Sequence, residues 1–425
     1  MKKLSVASLS ALIVLPAFAT QASANSVAPN EDRLLETLEK EGVIESTETP
    51  EQKNKKIREY MDGKGEQYHQ KYIPNKGLFD KKYNKGNNGK RLEPLNKNQK
   101  EMYKKKNNGK RVDNVEEEKY KGKVRQDKVL VLAMEFPDYP HSSITKDETD
   151  MYYDDYPVSH FQDMVFGENG YKGPNGENLM SMKQYYKNQS GGSYDIDGKV
   201  HGWYKAKHPA SYYGGNVPDE SGSDGKPKEL IKEALEQAAK DPDINLSDYD
   251  QWDRDDIDGD GVYDEKDGII DHIMIVHSGP GEEAGGGKLG TDAIWSHRWS
   301  LDFDDKGEPY TIPGTDSGLD QFDGKLAAID YTVQPEDGAA GVFSHEFGHD
   351  LGLPDEYDTE YSGKGEPVSF WSIMSSGSWA GIVPGTEPTG FDPYMKEMLQ
   401  QLHGGNWQTG NEINASEFKG ETSEL

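Results

Sequence analysis

The chain has no cysteine in 425 residues, which excludes thiolate metal sites, disulfide frameworks and cysteine nucleophiles. Positive charge is also scarce: 48 Lys and Arg stand against 77 Asp and Glu, a formal net charge of −29. Phosphate backbones and anionic lipid surfaces would be repelled, so neither nucleic acid nor a membrane surface is an expected partner. Apolar residues amount to 33%, which limits the core to a modest size beside a large polar surface. No apolar run reaches the length of about 18 residues that a bilayer span requires, so no membrane anchor is expected. Aromatic residues, in contrast, are plentiful (7 Trp, 24 Tyr and 12 Phe), and such a content argues for a folded domain, since disordered chains are usually poor in them.

The first residues, MKKLSVASLSALIVLPAFATQASANS, read as a secretory signal over 1–24. Lys2 and Lys3 form the charged start, Leu4 to Phe18 the apolar core, and Ala22-Ser23-Ala24 the small-residue cleavage site. A secreted, extracellular protein without disulfides must gain stability elsewhere, and bound calcium is one route. Residues 25–126 differ in character from the rest of the chain. They open on EDRLLETLEKEGVI, where Leu34, Leu35, Leu38 and Ile44 recur near helical spacing. They continue through two Lys-rich tracts that both contain NNGKR, at Asn87 and Asn107. So weakly hydrophobic a segment can order only against another surface.

From residue 127 to about 410 the pattern is that of an α+β domain, with a tail over 411–425. Val129 to Met134 reads as a buried strand, and GIIDHIMIVHSG and KLAAIDYTVQP as two more. SYDIDGKVHGWYKA suggests strands that turn at Asp197-Gly198, while SMKQYYKNQSGG and PKELIKEALEQAAK suggest helices. DGAAGVFSHEFGHDLG reads as a helix running into Gly352, with Asp337 as its N-cap.

That last helix carries the chemistry. His345 and His349 lie four apart, on one face of a helix, so both imidazoles can reach one metal ion. Zinc suits two neutral imidazoles and a carboxylate with one position left open. Glu346, beside the first histidine, is placed to take a proton from the attacking water and hand it to the leaving amine. Gly352 permits a left-handed exit from the helix, after which Asp355 is the natural third ligand and Glu356 the runner-up.

HEFGHDLGLPDEYD followed by SFWSIMSSGSWAG resembles the immune inhibitor A family of secreted bacterial zinc metallopeptidases, relatives of the metzincins. SMKQYYKNQSGGSYDIDG and FDPYMKEMLQ resemble that family too, and the likeness covers most of the chain. It implies a zincin-like catalytic domain with a twisted mixed sheet and an active-site helix, preceded by a mostly helical or irregular pro-segment. It also implies Met374 in a tight turn beneath the metal, and a propeptide over 25–126 that inhibits its own enzyme. The commonest metzincin pattern has a third histidine where this chain has Asp355. Family relatives usually continue into β-rich modules, so accessory binding is not carried over.

Two features lie outside the motif. In DIDGDGVYDEKDG, counting from Asp256, Asp stands at positions 1, 3, 5, 9 and 12 (Asp256, Asp258, Asp260, Asp264, Asp267), with Gly261 at 6 and Val262 offering its carbonyl at 7. That is close to a calcium loop, with Asp in place of the usual terminal Glu. Upstream, Asp113, Glu116, Glu117 and Glu118 are acidic groups that could reach a metal and enforce latency. Tyr357, Tyr394, His297 and Arg298 are candidates for stabilising an oxyanion. The expected function is therefore a monomeric zinc endopeptidase acting on extracellular proteins and peptides. The alternatives are a non-catalytic, calcium-stabilised binding protein on the same scaffold, or zinc-dependent hydrolysis of a non-peptide substrate.

Overall fold

The computed structural model describes residues 27–68, 120–216, 224–254, 256, 260–301, 309–359 and 368–407. Its centre is the apolar run noted above, which becomes β1 (Arg125–Glu135) and is buried continuously from Val129 onward. A strand covered on both faces needs neighbours on both edges. β1 pairs in parallel with β2 (Tyr194–Lys205) on one side and with β3 (Ile273–His277) on the other. β4 (His297–Ser300) and β5 (Asp330–Pro335) complete a five-stranded sheet of order β2-β1-β3-β5-β4. β5 is parallel to β3, and only the edge strand β4 runs antiparallel to its neighbour.

One expectation is corrected here. Tyr194–Lys205 is a single unbroken strand, not two strands turning at Asp197-Gly198. Gly198 serves clearance instead: a Cβ there would sit 2.3 Å from the Val129 carbonyl oxygen and 2.7 Å from the Phe166 ring. Phe166 ends α3 (Val158–Phe166), which lies on β2.

The helices behave as their sequences suggest. α4 (Met182–Gln189) starts with a capping box between Ser181 and Gln184. α5 (Pro227–Ala238) buries Leu230, Ile231, Ala234 and Leu235. α6 (Ala340–Asp350) is buried along its whole length, which explains its apolar and Gly/Ala-rich composition. Its N-cap is Ala339, without a side-chain cap; Asp337, expected in that role, instead accepts a hydrogen bond from the Gly281 N–H at 3.2 Å. The chain is still extended at Ala339, so the helix begins two residues too late for Asp337 to cap it. α7 (Pro393–His403) is capped by Asp392.

Ahead of the sheet domain, α1 (Glu31–Lys40) and α2 (Pro50–Tyr68) dock on its surface. Leu34, Leu38, Ile44, Ile57 and Met61 form one buried cluster with Trp295, just before β4. These N-terminal helices thus find their hydrophobic partner in the sheet domain.

Beneath α6 lies a buried charge network. Asp127 accepts from Arg125 Nε at 2.8 and 3.0 Å and from the Tyr194 hydroxyl at 2.8 Å, and His272 Nε2 lies 3.3 Å away. The other nitrogen of His272 bonds the Asp350 carboxylate, and an Arg254 nitrogen donates to the Asp350 carbonyl at 2.8 Å. Burial alone would raise the Asp127 carboxyl, but Arg125 and His272 hold it well below the usual carboxylate range. Burial would lower His272, but Asp350 and Asp127 raise it to about 9. The depressed acid stabilises the fold above its unfolded value of about 4 and loses that contribution as pH falls through its folded value. The raised His272 contributes fully below its unfolded value of about 6.5, and its share is lost as pH rises toward about 9. Removing one buried partner costs about 3–5 kcal/mol, so Asp127→Ala should lower the melting temperature by roughly 10 °C. The gap from wild type should be widest between about pH 4 and 6.5; thermal melts at pH 5 and pH 9 check both statements, and an equal gap at the two would count against the network.

Candidate metal centre and active site

α6 brings His345 and His349 one turn apart on one face, with their Nε2 atoms 3.0 Å from each other. Each Nδ1 faces a backbone carbonyl, Ile373 for His345 at 2.7 Å and Leu353 for His349 at 2.8 Å. A carbonyl can only accept, so both Nδ1 atoms carry the proton and both Nε2 atoms present lone pairs. Two lone pairs 3.0 Å apart in a buried site repel unless a cation lies between them. Asp355 Oδ1 completes the group at 3.2 Å from each Nε2, its side chain fully buried. Among the described residues this is the one place where three metal-ligating side chains converge. The donor set, two neutral imidazoles and one carboxylate, fits zinc.

The turn after the helix makes this possible. Gly352 has φ +100°, a value that side-chain-bearing residues rarely adopt, and Asp355 comes three residues on. Glu356 faces elsewhere, hydrogen-bonded through its side chain to Ser372 and Asp392. Its backbone N–H donates to the Met374 carbonyl at 2.7 Å, tying the ligand loop to the turn at 372–375. Met374 is fully buried, and a Cβ on Gly348, between the two histidines, would meet its sulfur at 2.7 Å. Ile373 of the same turn orients His345. If Asp355 is the ligand, Asp355→Ala should reduce bound zinc at least about tenfold, whereas Glu356→Ala should leave close to one ion per chain; metal analysis of the purified variants separates the two.

Glu346 is fully buried, and burial, then the charges of Asp355 and Glu283, push its carboxyl well above the ordinary value. Its Oε2 has no hydrogen-bond partner among the described residues. Its Oε1 accepts a 2.9 Å bond from the backbone N–H of Val27. The N-terminal strap 27–30 therefore lies in the site itself. Trp295 Nε1 donates to the Val27 carbonyl at 3.0 Å, Trp379 Nε1 to the Ala28 carbonyl, and the Asn30 N–H to the Glu283 carbonyl at 2.8 Å. None of these strap contacts was foreseen from the sequence, because backbone donors and an indole N–H leave no motif.

The remaining candidates occupy varied surroundings. His297 is buried, with Nδ1 on the Trp295 carbonyl at 2.7 Å and Nε2 on the Tyr331 hydroxyl at 3.0 Å. Arg298 is buried in an ion pair with Asp330. Tyr357 is buried near the ligand loop, and Tyr394 is exposed in the first turn of α7. In the acidic loop, Asp256 Oδ1 accepts from Gly261 N at 2.8 Å and Asp260 Oδ1 from Val262 N at 2.7 Å. Asp264 points outward to Lys123 Nζ at 3.3 Å. Asp267 points inward instead: it is buried, and burial together with Asp271, Asp253 and Asp250 raises it to about 8. Asp258, and the acidic residues Asp113, Glu116, Glu117 and Glu118, lie outside the described residues, as does the signal segment 1–24.

A buried His-Glu-His helix and an acid supplied by the adjoining turn, together able to hold one metal ion, are the arrangement of a metallopeptidase site. The chain belongs to the immune inhibitor A family: the family model for the immune inhibitor A peptidase M6 catalytic domain matches residues 115–408. It is 54% identical over 301 residues to the pre-pro-metalloprotease PrtV of Vibrio cholerae serotype O1 (strain M66-2), covering 70% of this chain and 32% of that protein. It is 49% identical over 291 residues to immune inhibitor A of Bacillus thuringiensis subsp. alesti, covering 68% of this chain and 42% of that protein. The chain thus spans about a third to two fifths of the length of the curated relatives it matches. Among the described residues, no helix is long and apolar enough to cross a membrane.

Proposed function

We propose that the chain is the latent precursor of a secreted zinc endopeptidase, with 1–24 as signal, 25–126 as propeptide, 127–410 as a zincin-like catalytic domain and 411–425 as tail. His345, His349 and Asp355 are the residues to hold the zinc. A zinc ion there would polarise the scissile carbonyl and acidify the attacking water. Glu346, next to His345 on the same helix, accepts the proton from that water and returns it to the leaving amine. Met374 and Ile373 hold the helix and His345 in place from below. The observation that carries this reading is the convergence of two Nε2 lone pairs with Asp355, one residue from a buried glutamate.

Latency is assigned to the strap 27–30. It takes one oxygen of the catalytic glutamate and lies against Ser296, the residue just before the edge strand β4. An edge strand offers unpaired backbone groups to an extended peptide, so strap and substrate compete for the same surface.

The acidic loop is assigned to structural calcium. Supporting this, Asp250, Asp267 and Asp271 are buried close together with raised carboxyls, and Asp271 Oδ1 has no hydrogen-bond partner among the described residues. Two chelators test both metals. Phenanthroline should abolish casein hydrolysis by the matured enzyme and added zinc should restore it; hydrolysis that survives metal removal would sink the zinc reading. EGTA, with enough zinc added to keep the zinc site filled, should lower the melting temperature by several degrees and excess calcium should restore it; an unchanged midpoint would remove calcium.

A further inference from the structure

The strap continues into α1, and the first turn of that helix places Arg33 in a notch beside the active site. Arg33 Nε donates to Asp150 Oδ2 at 3.1 Å and a terminal nitrogen donates to Oδ1 at 2.5 Å. This is the two-point pairing that a planar guanidinium makes with a carboxylate and an ammonium does not. Behind Asp150 stand two more acids, Asp337 and the fully buried Glu283. Among the described residues lining the notch, Arg33 is the only basic one. Val342, also in the lining, lies one turn before Glu346 on α6, and Trp379 both lines the notch and holds the strap at Ala28. Notch and catalytic glutamate are therefore neighbouring stations along one cleft.

The two-sided geometry matters because Arg33 belongs to the segment assigned for removal. Once it leaves, the notch keeps Asp150, Asp337 and Glu283 and has lost its cation. An isolated exposed ion pair would be worth little. Here, however, burial already raises Asp337 to about 6 and Glu283 to about 7, so the vacated notch is a set of poorly solvated acids that gains from any well-shaped cation.

We propose that this notch is a specificity subsite for an arginine side chain of the substrate, and that Arg33 is its internal stand-in. The inference rests on the endopeptidase reading above. Three extended steps, to Asn30, and three helical ones lead from Val27 to Arg33, a reach of at most about 15 Å. An extended substrate covers that distance in about four residues, so the preferred arginine lies within five residues of the scissile bond.

The test uses the matured secreted enzyme and peptides that carry Arg, Lys, Ala or Glu at each position out to five on either side of the cleaved bond. At one position Arg should exceed Ala at least about tenfold in kcat/KM, with Lys in between. The Arg-to-Ala ratio should fall toward one in Asp150→Asn, and Asp150→Lys should favour Glu at that position. Equal cleavage of Arg and Ala peptides at every position, or an Arg-to-Ala ratio unchanged in Asp150→Asn, overturns the subsite. If no peptide is cleaved at all, the endopeptidase reading has failed, and binding decides the subsite alone. Fluorescence anisotropy on the Glu346→Gln form should show the Arg peptide held about tenfold more tightly than the Ala peptide, and equal affinities overturn it.

Discussion

Glu346→Gln should reduce casein hydrolysis by the matured enzyme by about 10³-fold, within the range of 10²–10⁴ typical of a lost general base. Zinc content should stay near one ion per chain, because Glu346 is outside the group of His345, His349 and Asp355. Glutamine keeps the shape and the hydrogen-bonding capacity of the buried side chain but cannot accept the proton. The fold should therefore survive, which a melting curve within about 2 °C of wild type would verify. A variant with full zinc and more than a tenth of the wild-type rate would mean that another group moves the proton.

Sequence and structure agree best where local chemistry decides the outcome. The spacing of His345 and His349 fixes their common face, and Gly352 at φ +100° supplies the bend that returns Asp355 to them. Val129 to Met134 reads as a buried strand and is one, and α1 obeys the spacing of Leu34 and Leu38. The misses share a different cause. Asp197-Gly198 carries a turn signature, yet Gly198 is needed because β1 and α3 press on β2 at that point, a tertiary demand invisible in the local sequence. Asp337 has the right chemistry for an N-cap, but the chain stays extended for two more residues, and the carboxylate bonds Gly281 from a distant loop. Separately from these misses, Asp264 and Asp267 stand three residues apart in the acidic loop, and one faces Lys123 outside while the other faces three buried acids inside. The least legible part is the strap. Val27, Ala28 and Pro29 carry no chemistry of their own, and they act through backbone groups held by Trp295 and Trp379, which by composition alone pass for core residues.

Deleting residues 27–30 from the full chain should raise the hydrolytic rate of the uncleaved protein about 100-fold. A strap tethered by docked helices acts at an effective concentration on the order of 1 mM. With a modest intrinsic affinity of about 10 μM, it would leave only about 1% of the clefts open, which sets the expected gain. The tether can be attacked independently of the strap. Leu34 and Leu38 are fully buried with Trp295, and truncating each to Ala costs about 2–5 kcal/mol of docking. The double variant Leu34→Ala/Leu38→Ala should therefore also gain activity while retaining every strap residue. Initial rates must be read while gels still show an intact N-terminus, so that maturation does not imitate the effect. Should both proteins remain as silent as wild type before processing, the hydrogen bond from Val27 to Glu346 would be a contact without a regulatory role, and latency would have to reside in another part of the propeptide.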